Sequence, residues 1–139
     1  MKEGLKHYAF EYIKKGIPII PLRKNKKPYL DEWKPYQTRL PTEEEIEMWW
    51  SKWPDAILGG VTGKLSNLTV VDFEKGADTK GFPPTLTVKT GRGGWHFHYR
   101  YYEGVRNKQR IRPKTDIRSE GGYVILPPSI TDFIDDKTG

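Results

Sequence analysis

The chain contains no cysteine among its 139 residues. Without thiols it has neither a disulfide framework nor a thiolate metal site, which excludes zinc-finger folds and fits a reducing cytoplasm. Long apolar runs are absent as well. No segment approaches the roughly 18 consecutive apolar residues of a membrane span, and the N-terminus lacks the apolar centre of a signal peptide. We therefore expect a cytoplasmic protein with no membrane partner.

Charge is abundant and predominantly of one sign. The chain has 24 Lys and Arg against 18 Asp and Glu, a formal net charge of +6. An excess of this kind favours an anionic partner, and nucleic acid is the natural candidate. The length suits a single domain over residues 1–139 and leaves no room for a separate helicase or regulatory domain.

The apolar spacing predicts helices and strands that do not alternate regularly, which indicates an α+β fold. A helix is expected over residues 2–15, followed by a strand over residues 17–22 whose prolines suit an edge position. Thr42 and Glu45 form a capping box that begins a second helix, with three tryptophans on its apolar stripe. Further strands are predicted at residues 68–73, 85–90, 95–102 and 123–126, the middle two as a hairpin or as consecutive strands.

Two carboxylates lie two residues apart in the most strand-like segment, Val-Val-Asp-Phe-Glu at residues 70–74. Because successive side chains of a strand alternate between faces, Asp72 and Glu74 are predicted to project from one side while Val71 and Phe73 pack on the other. Paired carboxylates on one face suit Mg²⁺ or Mn²⁺. The alternative is a solvated strand face with ordinary charges.

A second strand carries basic residues on one face. By the same alternation Arg92, Gly94, His96 and His98 are predicted to share a face, which forms a basic strip with a gap at the glycine, suited to a triphosphate. Asp116 and Arg118 repeat the pattern with a third carboxylate and a further guanidinium. An oxygen-rich cluster of this kind would suit a pair of divalent cations.

Two loops, one rich in lysine and one rich in glycine, each have a structural and a functional interpretation. The basic loop after the first strand carries Lys24, Lys26 and Lys27, which either contact a DNA template or simply remain solvated. Residues 59–64 resemble a phosphate loop, but Leu65 stands where such a loop needs Ser or Thr, so a structural turn is expected there.

The order of these motifs resembles a known family. The helix ending in Lys-Lys-Gly-Ile-Pro, the lysine loop, the Asp-Phe-Glu segment, Gly-Gly-Trp-His-Phe-His at residues 93–98 and Gly-Gly-Tyr-Val-Ile-Leu-Pro-Pro-Ser at residues 121–129 occur in sequence. Together they resemble the N-terminal primase-polymerase (prim-pol) domain of plasmid and phage replication proteins, in the archaeo-eukaryotic primase superfamily. The resemblance extends from Leu5 to Ser129.

The resemblance implies a fold and a function. The fold would be an RRM-like catalytic sheet with an N-terminal α/β portion, and the function a DNA primase/polymerase that adds nucleoside triphosphates (NTPs or dNTPs) to a 3′-hydroxyl on a single-stranded or primed DNA template. The resemblance leaves open whether a replicative helicase, encoded beside or beyond this chain, is a further partner. Relatives carry an insertion between Glu74 and Thr85 and continue beyond Ser129, so we expect a reduced nucleotide wall and a domain truncated at the polar run of residues 132–139.

The resemblance also assigns roles to individual residues. Asp72, Glu74 and Asp116 would hold two divalent cations, Mg²⁺ or Mn²⁺. His96, with Gly94 as the small residue before it, would contact the phosphates of the incoming nucleotide, and Arg92 would hold the triphosphate.

Two other function classes stay open at this stage. Two histidines flanking one hydrophobic residue, here His96 and His98, also occur in rolling-circle nicking endonucleases, whose nucleophile is a tyrosine. The tyrosines available here, at positions 99, 101 and 102, are predicted on the same strand instead. The other alternative is a catalytically inactive module that binds single-stranded DNA.

Overall fold

A computed structural model describes residues 4–129, which form two α-helices, a short 3₁₀-helix and eight strands. The helices are α1 (Lys6–Lys14) and α2 (Glu43–Lys52), with the 3₁₀-helix at Lys34–Gln37. The strands are β1 (Ile19–Leu22), β2 (Ile57–Val61), β3 (Thr69–Phe73), β4 (Leu86–Lys89), β5 (Trp95–Tyr99), β6 (Lys108–Arg112), β7 (Thr115–Arg118) and β8 (Tyr123–Ile125). The predicted α+β class is confirmed. The polar run at residues 132–139, where truncation is expected, lies outside the described residues.

Three strands form the first antiparallel sheet, in the order β1-β2-β8. β1 lies at the edge, as its prolines predict, because a proline has no N–H to donate to a neighbouring strand. All four of its residues are buried, since the main hydrophobic core is built on this sheet together with α1 and α2.

The turn expected at residues 59–64 lies further along the chain, because residues 59–61 belong to β2, the central strand of this sheet. Gly59 and Gly60 lie in β2, fully covered by their neighbours. A Cβ atom on Gly59 would lie 2.7 Å from Leu22 Cδ1, and one on Gly60 would overlap the Leu126 side chain. The glycines therefore make room for large apolar residues of adjacent segments, and only the chain beyond Val61 turns, between Gly63 and Leu68.

Helix α2 begins as the sequence predicts. The Thr42 hydroxyl accepts a hydrogen bond from Glu45 N at 3.1 Å, and the Glu45 carboxylate accepts one from Thr42 N at 2.8 Å. Trp49 and Trp50 are buried in the core, and the Trp50 indole donates to the Ala56 carbonyl at 3.2 Å. Core packing is thus the role of these tryptophans.

Five strands form the second antiparallel sheet, in the order β4-β5-β3-β7-β6. β4 and β5 form the predicted hairpin, and β3 occupies the centre. β6 was not predicted, because its sequence Lys-Gln-Arg-Ile-Arg has little apolar alternation and Arg110 adopts a positive φ of 52° at an irregularity in the pairing. On one face of this sheet Phe73 packs against Phe82 and Phe97.

No helix among the described residues is long and apolar enough to cross a membrane.

Replacing Thr42 with alanine should lower the free energy of unfolding by about 1 kcal/mol, because the first turn of α2 loses a side-chain acceptor. Urea denaturation of the purified protein measures the change. Ser51→Ala, an exposed position near the end of the same helix, is the control and should leave stability nearly unchanged. Equal losses in both variants would contradict the capping role.

Candidate active site

Three polar side chains form a row across the centre of the five-stranded sheet. Asp72 on β3 pairs with Asp116 on β7 and with His96 on β5. Residues directly opposite each other in antiparallel strands project from the same face, with Cβ atoms roughly 5 Å apart. The register therefore brings together an aspartate from one motif, an aspartate from another and the histidine of a third.

Cationic groups surround the two carboxylates. His96 Nε2 lies 3.3 Å from Asp72 Oδ1. The Arg118 guanidinium stands between the aspartates, with Nη2 3.3 Å from Asp116 Oδ2 and 3.9 Å from Asp72 Oδ2. Asp116 Oδ1 also accepts a hydrogen bond from Arg110 N at 2.8 Å. Neighbouring carboxylates that would otherwise repel each other are thus bridged by one arginine.

The environment keeps Asp72 ionised. Burial alone would raise the pKa of this carboxyl, but the hydrogen bond and charge of His96, with the charges of Arg118 and Lys26, outweigh burial and hold the pKa below its usual value. Asp72 is therefore an anion at neutral pH. An ionised, partly buried carboxylate is a strong ligand for cations.

A cavity of about 760 Å³ opens over this row, between the two sheets. From the five-stranded sheet and its turns it is lined by the site residues predicted from sequence, Asp72, Glu74, Arg92, Gly94, His96, Asp116 and Arg118. The segment that ends the three-stranded sheet, residues 125–129, forms part of the opposite wall. The volume suits a nucleotide-sized ligand.

Two charged residues of this set, Glu74 and Arg92, lie outside the strands predicted for them, as does Gly94. β3 ends at Phe73, so Glu74 follows the strand, where its half-exposed carboxylate forms an ion pair with Arg110 at 2.6 Å. Arg92 lies in the turn between β4 and β5, outside the strand that carries His96. Both still line the cavity, Glu74 directly after the end of β3 and Arg92 from the turn that connects β4 and β5.

Gly94 has a steric role at the rim of the cavity. A Cβ atom at this position would overlap the carbonyl oxygen of Phe73, a backbone atom that cannot rotate away. The absence of a side chain therefore lets the turn close onto the end of β3. This close approach comes two residues before His96, the residue that pairs with Asp72.

The donor atoms of the cavity are those that a hard divalent cation accepts. Among residues 4–129, no three or more His, Asp or Glu side chains form a ready-made metal site. Asp72 and Asp116 are nevertheless adjacent oxygen donors, and the His96 Nδ1 atom is buried without a hydrogen-bond partner in that part of the chain. The two carboxylates offer oxygen atoms of the kind that such a cation takes, and Arg118 lies between them in this structure.

His98 lies outside the cavity lining. Burial, with a smaller effect of the charge of His96, lowers the pKa of His98 to about 4, so its imidazole is neutral at neutral pH. The Tyr99 hydroxyl donates to the Pro83 carbonyl at 2.8 Å, and β5 ends at Tyr99, before the other two tyrosines. Nothing in this arrangement favours the nicking-endonuclease alternative.

The lysine loop divides into two groups. All three lysines are exposed, but only Lys26 lines the cavity. Sequence reasoning also missed three other cavity lysines, which have no motif around them: Lys75, Lys89 and Lys114. Their positions near the ends of β3, β4 and β7 follow from strand pairing, which only the fold reveals.

The family model for the N-terminal domain of bifunctional DNA primase/polymerases matches residues 9–138. The chain therefore belongs to this family, and the resemblance predicted from its motifs is confirmed. Membership implies DNA and nucleotides as substrates. No protein among the curated sequences matches the chain.

Replacing Gly94 with alanine should lower stability by roughly 1 to 3 kcal/mol, because the backbone of the turn and of β3 must move apart. Nucleotide affinity should fall as well, since the same turn carries Arg92. Urea denaturation and nucleotide titration measure the two effects.

Gly104→Ala is the control. Gly104 has a positive φ of 89°, but no atom lies within 4 Å of the place that an added methyl group would occupy, so only the backbone cost applies. That variant should keep full nucleotide affinity. Unchanged nucleotide binding by Gly94→Ala would contradict the steric role.

Proposed function

We propose that this domain catalyses template-directed nucleotidyl transfer. The 3′-hydroxyl oxygen of a primer attacks the α-phosphorus of a nucleoside triphosphate, the hydroxyl proton is lost, and the bond to the leaving pyrophosphate breaks. The observation that carries the proposal is the row of Asp116, Asp72 and His96 on one face of three paired strands, inside a nucleotide-sized cavity with a cationic wall.

Asp72 and Asp116 would hold the divalent cations, Mg²⁺ or Mn²⁺, with Glu74 at the rim as a third carboxylate. Cations held there would lower the pKa of the attacking hydroxyl and neutralise charge on the phosphates. In this structure Arg118 balances the two aspartates, with its guanidinium between them.

The remaining site residues would act on the triphosphate. Arg92 and Arg118 offer planar donors that suit phosphate oxygens, and His96 lines the cavity with its Nε2 atom 3.3 Å from Asp72 Oδ1. Fixed donors in a partly buried site stabilise developing negative charge without reorganisation, an effect worth several kcal/mol in such sites. Gly94 would let the turn that carries Arg92 close onto the end of β3.

DNA would bind outside the cavity. The exposed Lys24 and Lys27 provide charge for a single-stranded or primed template near the cavity mouth, where Lys26 of the same loop enters. Such contacts are electrostatic and independent of sequence. A replicative helicase, as a further domain or a separate protein, would supply the unwound strand.

We further propose that the five-stranded sheet corresponds to the RRM-like catalytic sheet of archaeo-eukaryotic primases, and the three-stranded sheet with α1 and α2 to the N-terminal α/β portion. Two antiparallel sheets with a cavity between them support this correspondence. The catalytic domain would comprise residues 1–139.

Asp72→Asn and Asp116→Asn should each reduce nucleotide incorporation at least about 100-fold, because each loses a charged oxygen ligand while its shape is kept. Extension of primed and unprimed single-stranded DNA with labelled nucleotides and Mn²⁺ or Mg²⁺ measures activity, and calorimetric titration with Mn²⁺ measures metal affinity. Asp31→Asn, at an exposed position, is the control and should change neither. A wild-type protein that binds DNA but incorporates nothing would identify a binding module instead.

The double variant Lys24→Gln, Lys27→Gln should bind single-stranded DNA with a weaker salt dependence. The negative slope of log affinity against log salt should become smaller in magnitude by about 1.4, because fewer counterions are released when two phosphate contacts are lost. Fluorescence anisotropy at several salt concentrations measures the slope. Lys14→Gln with Lys15→Gln, at the exposed end of α1, removes the same charge elsewhere and should leave the slope nearly unchanged. Equal slopes for the two double variants would contradict a template contact at the loop.

A further inference from the structure

Lys26 enters the cavity from a segment that is not part of the five-stranded sheet. It lies in the tight loop between β1 and the bridge that pairs Leu22 with Pro28. Inside this loop Lys26 N donates to Arg23 O at 2.8 Å, and Arg23 N donates to Lys27 O at 2.8 Å. Lys26 itself has a φ of 78°, in the left-handed region. The backbone therefore holds this one residue in a specific conformation, with Lys24 and Lys27 outside the cavity.

The loop is also fixed from the other side. The Tyr123 hydroxyl donates to the Lys26 carbonyl at 2.8 Å. Tyr123 is the first residue of β8, and its ring packs edge-on against Trp33 with centroids 5.2 Å apart. Since β8 leads directly into the cavity wall at residues 125–129, the loop and that wall form one unit.

The charge of Lys26 converges with two others. Partial burial lowers the pKa of Lys26, and the neighbouring charges of Arg92 and Arg118 lower it further, against the opposite effect of Asp72. These three cations come from three separate elements: the loop after β1, the turn between β4 and β5, and β7. Holding like charges together is unfavourable by itself, and a polyanion bound among them would relieve the repulsion.

We propose that Lys26 is a nucleotide-binding residue that contacts the phosphates of the incoming triphosphate with Arg92 and Arg118, so that the bound nucleotide spans both sheets. This assignment replaces the sequence-based expectation that Lys26 contacts the DNA template alongside Lys24 and Lys27. It rests on the proposed function. Tyr123 acts as a positioning residue, because it touches the backbone of Lys26 and holds the loop over the cavity.

The test compares Lys26→Gln with the double variant Lys24→Gln, Lys27→Gln from the same loop. Steady-state primer extension gives KM and kcat for a dNTP, and anisotropy gives the affinity for single-stranded DNA. Lys26→Gln should raise KM roughly 10- to 100-fold, the loss expected for a charged hydrogen-bond donor, with a smaller effect on kcat and with DNA affinity kept. Lys26→Arg should restore most of the loss. The double variant should show the reverse pattern, with weaker DNA binding and an unchanged KM.

Ligands with different numbers of phosphates locate the contact. Direct titration with deoxyadenosine, dAMP, dADP and dATP in the presence of Mg²⁺ should give no difference between wild type and Lys26→Gln for the nucleoside. The difference should grow as phosphates are added. An equal loss for deoxyadenosine and dATP would overturn the proposal, because it would indicate a general distortion of the cavity.

Tyr123→Phe keeps the ring and removes only the hydroxyl. It should raise KM about 2- to 10-fold through the loss of one hydrogen bond. In the Lys26→Gln background it should add nothing, because the residue it positions has lost its charge. Full additivity of the two changes would show that Tyr123 acts through another group.

The outcomes separate the two proposals. A wild-type protein that extends primers, with KM unchanged in Lys26→Gln, overturns the role of Lys26 and leaves the proposed function intact. A wild-type protein that binds dATP through Lys26 without incorporating it overturns the proposed function and supports the role of Lys26. If the wild type binds no nucleotide at all, both are wrong.

Discussion

The charge of Asp72 is the constraint on which the arrangement of the site depends. This carboxylate lies at the centre of the five-stranded sheet, is mostly buried, and has a second carboxylate, Asp116, as its partner on the neighbouring strand. Burying one anion beside another is costly unless cations compensate. His96, Arg118 and Lys26 provide that compensation, each from a different element. The positions of the strands and of the loop after β1 are therefore tied to a single electrostatic requirement.

The same requirement links the acidic and basic parts of the cavity. Arg118 lies between the two aspartates, with Nη2 3.3 Å from Asp116 Oδ2 and 3.9 Å from Asp72 Oδ2. A divalent cation held by both carboxylates would have to compete with this guanidinium. Within residues 4–129, six lysines and arginines line the cavity against three carboxylates: Lys26, Lys75, Lys89, Arg92, Lys114 and Arg118 against Asp72, Glu74 and Asp116. This excess of positive charge favours an anionic ligand in the cavity.

Features set by neighbours along the chain were predictable from sequence. The capping box at Thr42 depends on residues three apart, and the placement of Asp72 and Phe73 on opposite faces depends on strand alternation alone. Features set by distant contacts were not. Gly59 and Gly60 form a buried strand only because Leu22 and Leu126 fill the space above them, and a glycine pair in isolation indicates a turn. Arg92, predicted on a strand, lies in a turn because the chain reverses direction there, between the last pair of the hairpin, Lys89 and Trp95.

The different positions of Lys26, Lys24 and Lys27 illustrate a second limit. Three lysines in one basic loop are equivalent in composition, and charge alone assigns them the same role. The loop's own hydrogen bonds and the contact from Tyr123, which is 97 residues further along the chain, distinguish them. No local pattern encodes a contact of that range.

A buried polar cluster next to Arg118 connects the two sheets by hydrogen bonds. Ser119 follows the end of β7, and its carbonyl accepts a hydrogen bond from the Thr62 hydroxyl at 2.6 Å. Its own hydroxyl pairs with that of Thr69 at 2.8 Å, so one residue joins the ends of both sheets. Thr62, Thr69 and Ser119 are all buried, and hydrogen bonds in such surroundings are costly to leave unmade. Arg118 precedes Ser119, and Tyr123, which contacts the Lys26 carbonyl, follows Ser119 by four residues, so this cluster connects the chain segments that position the two cations.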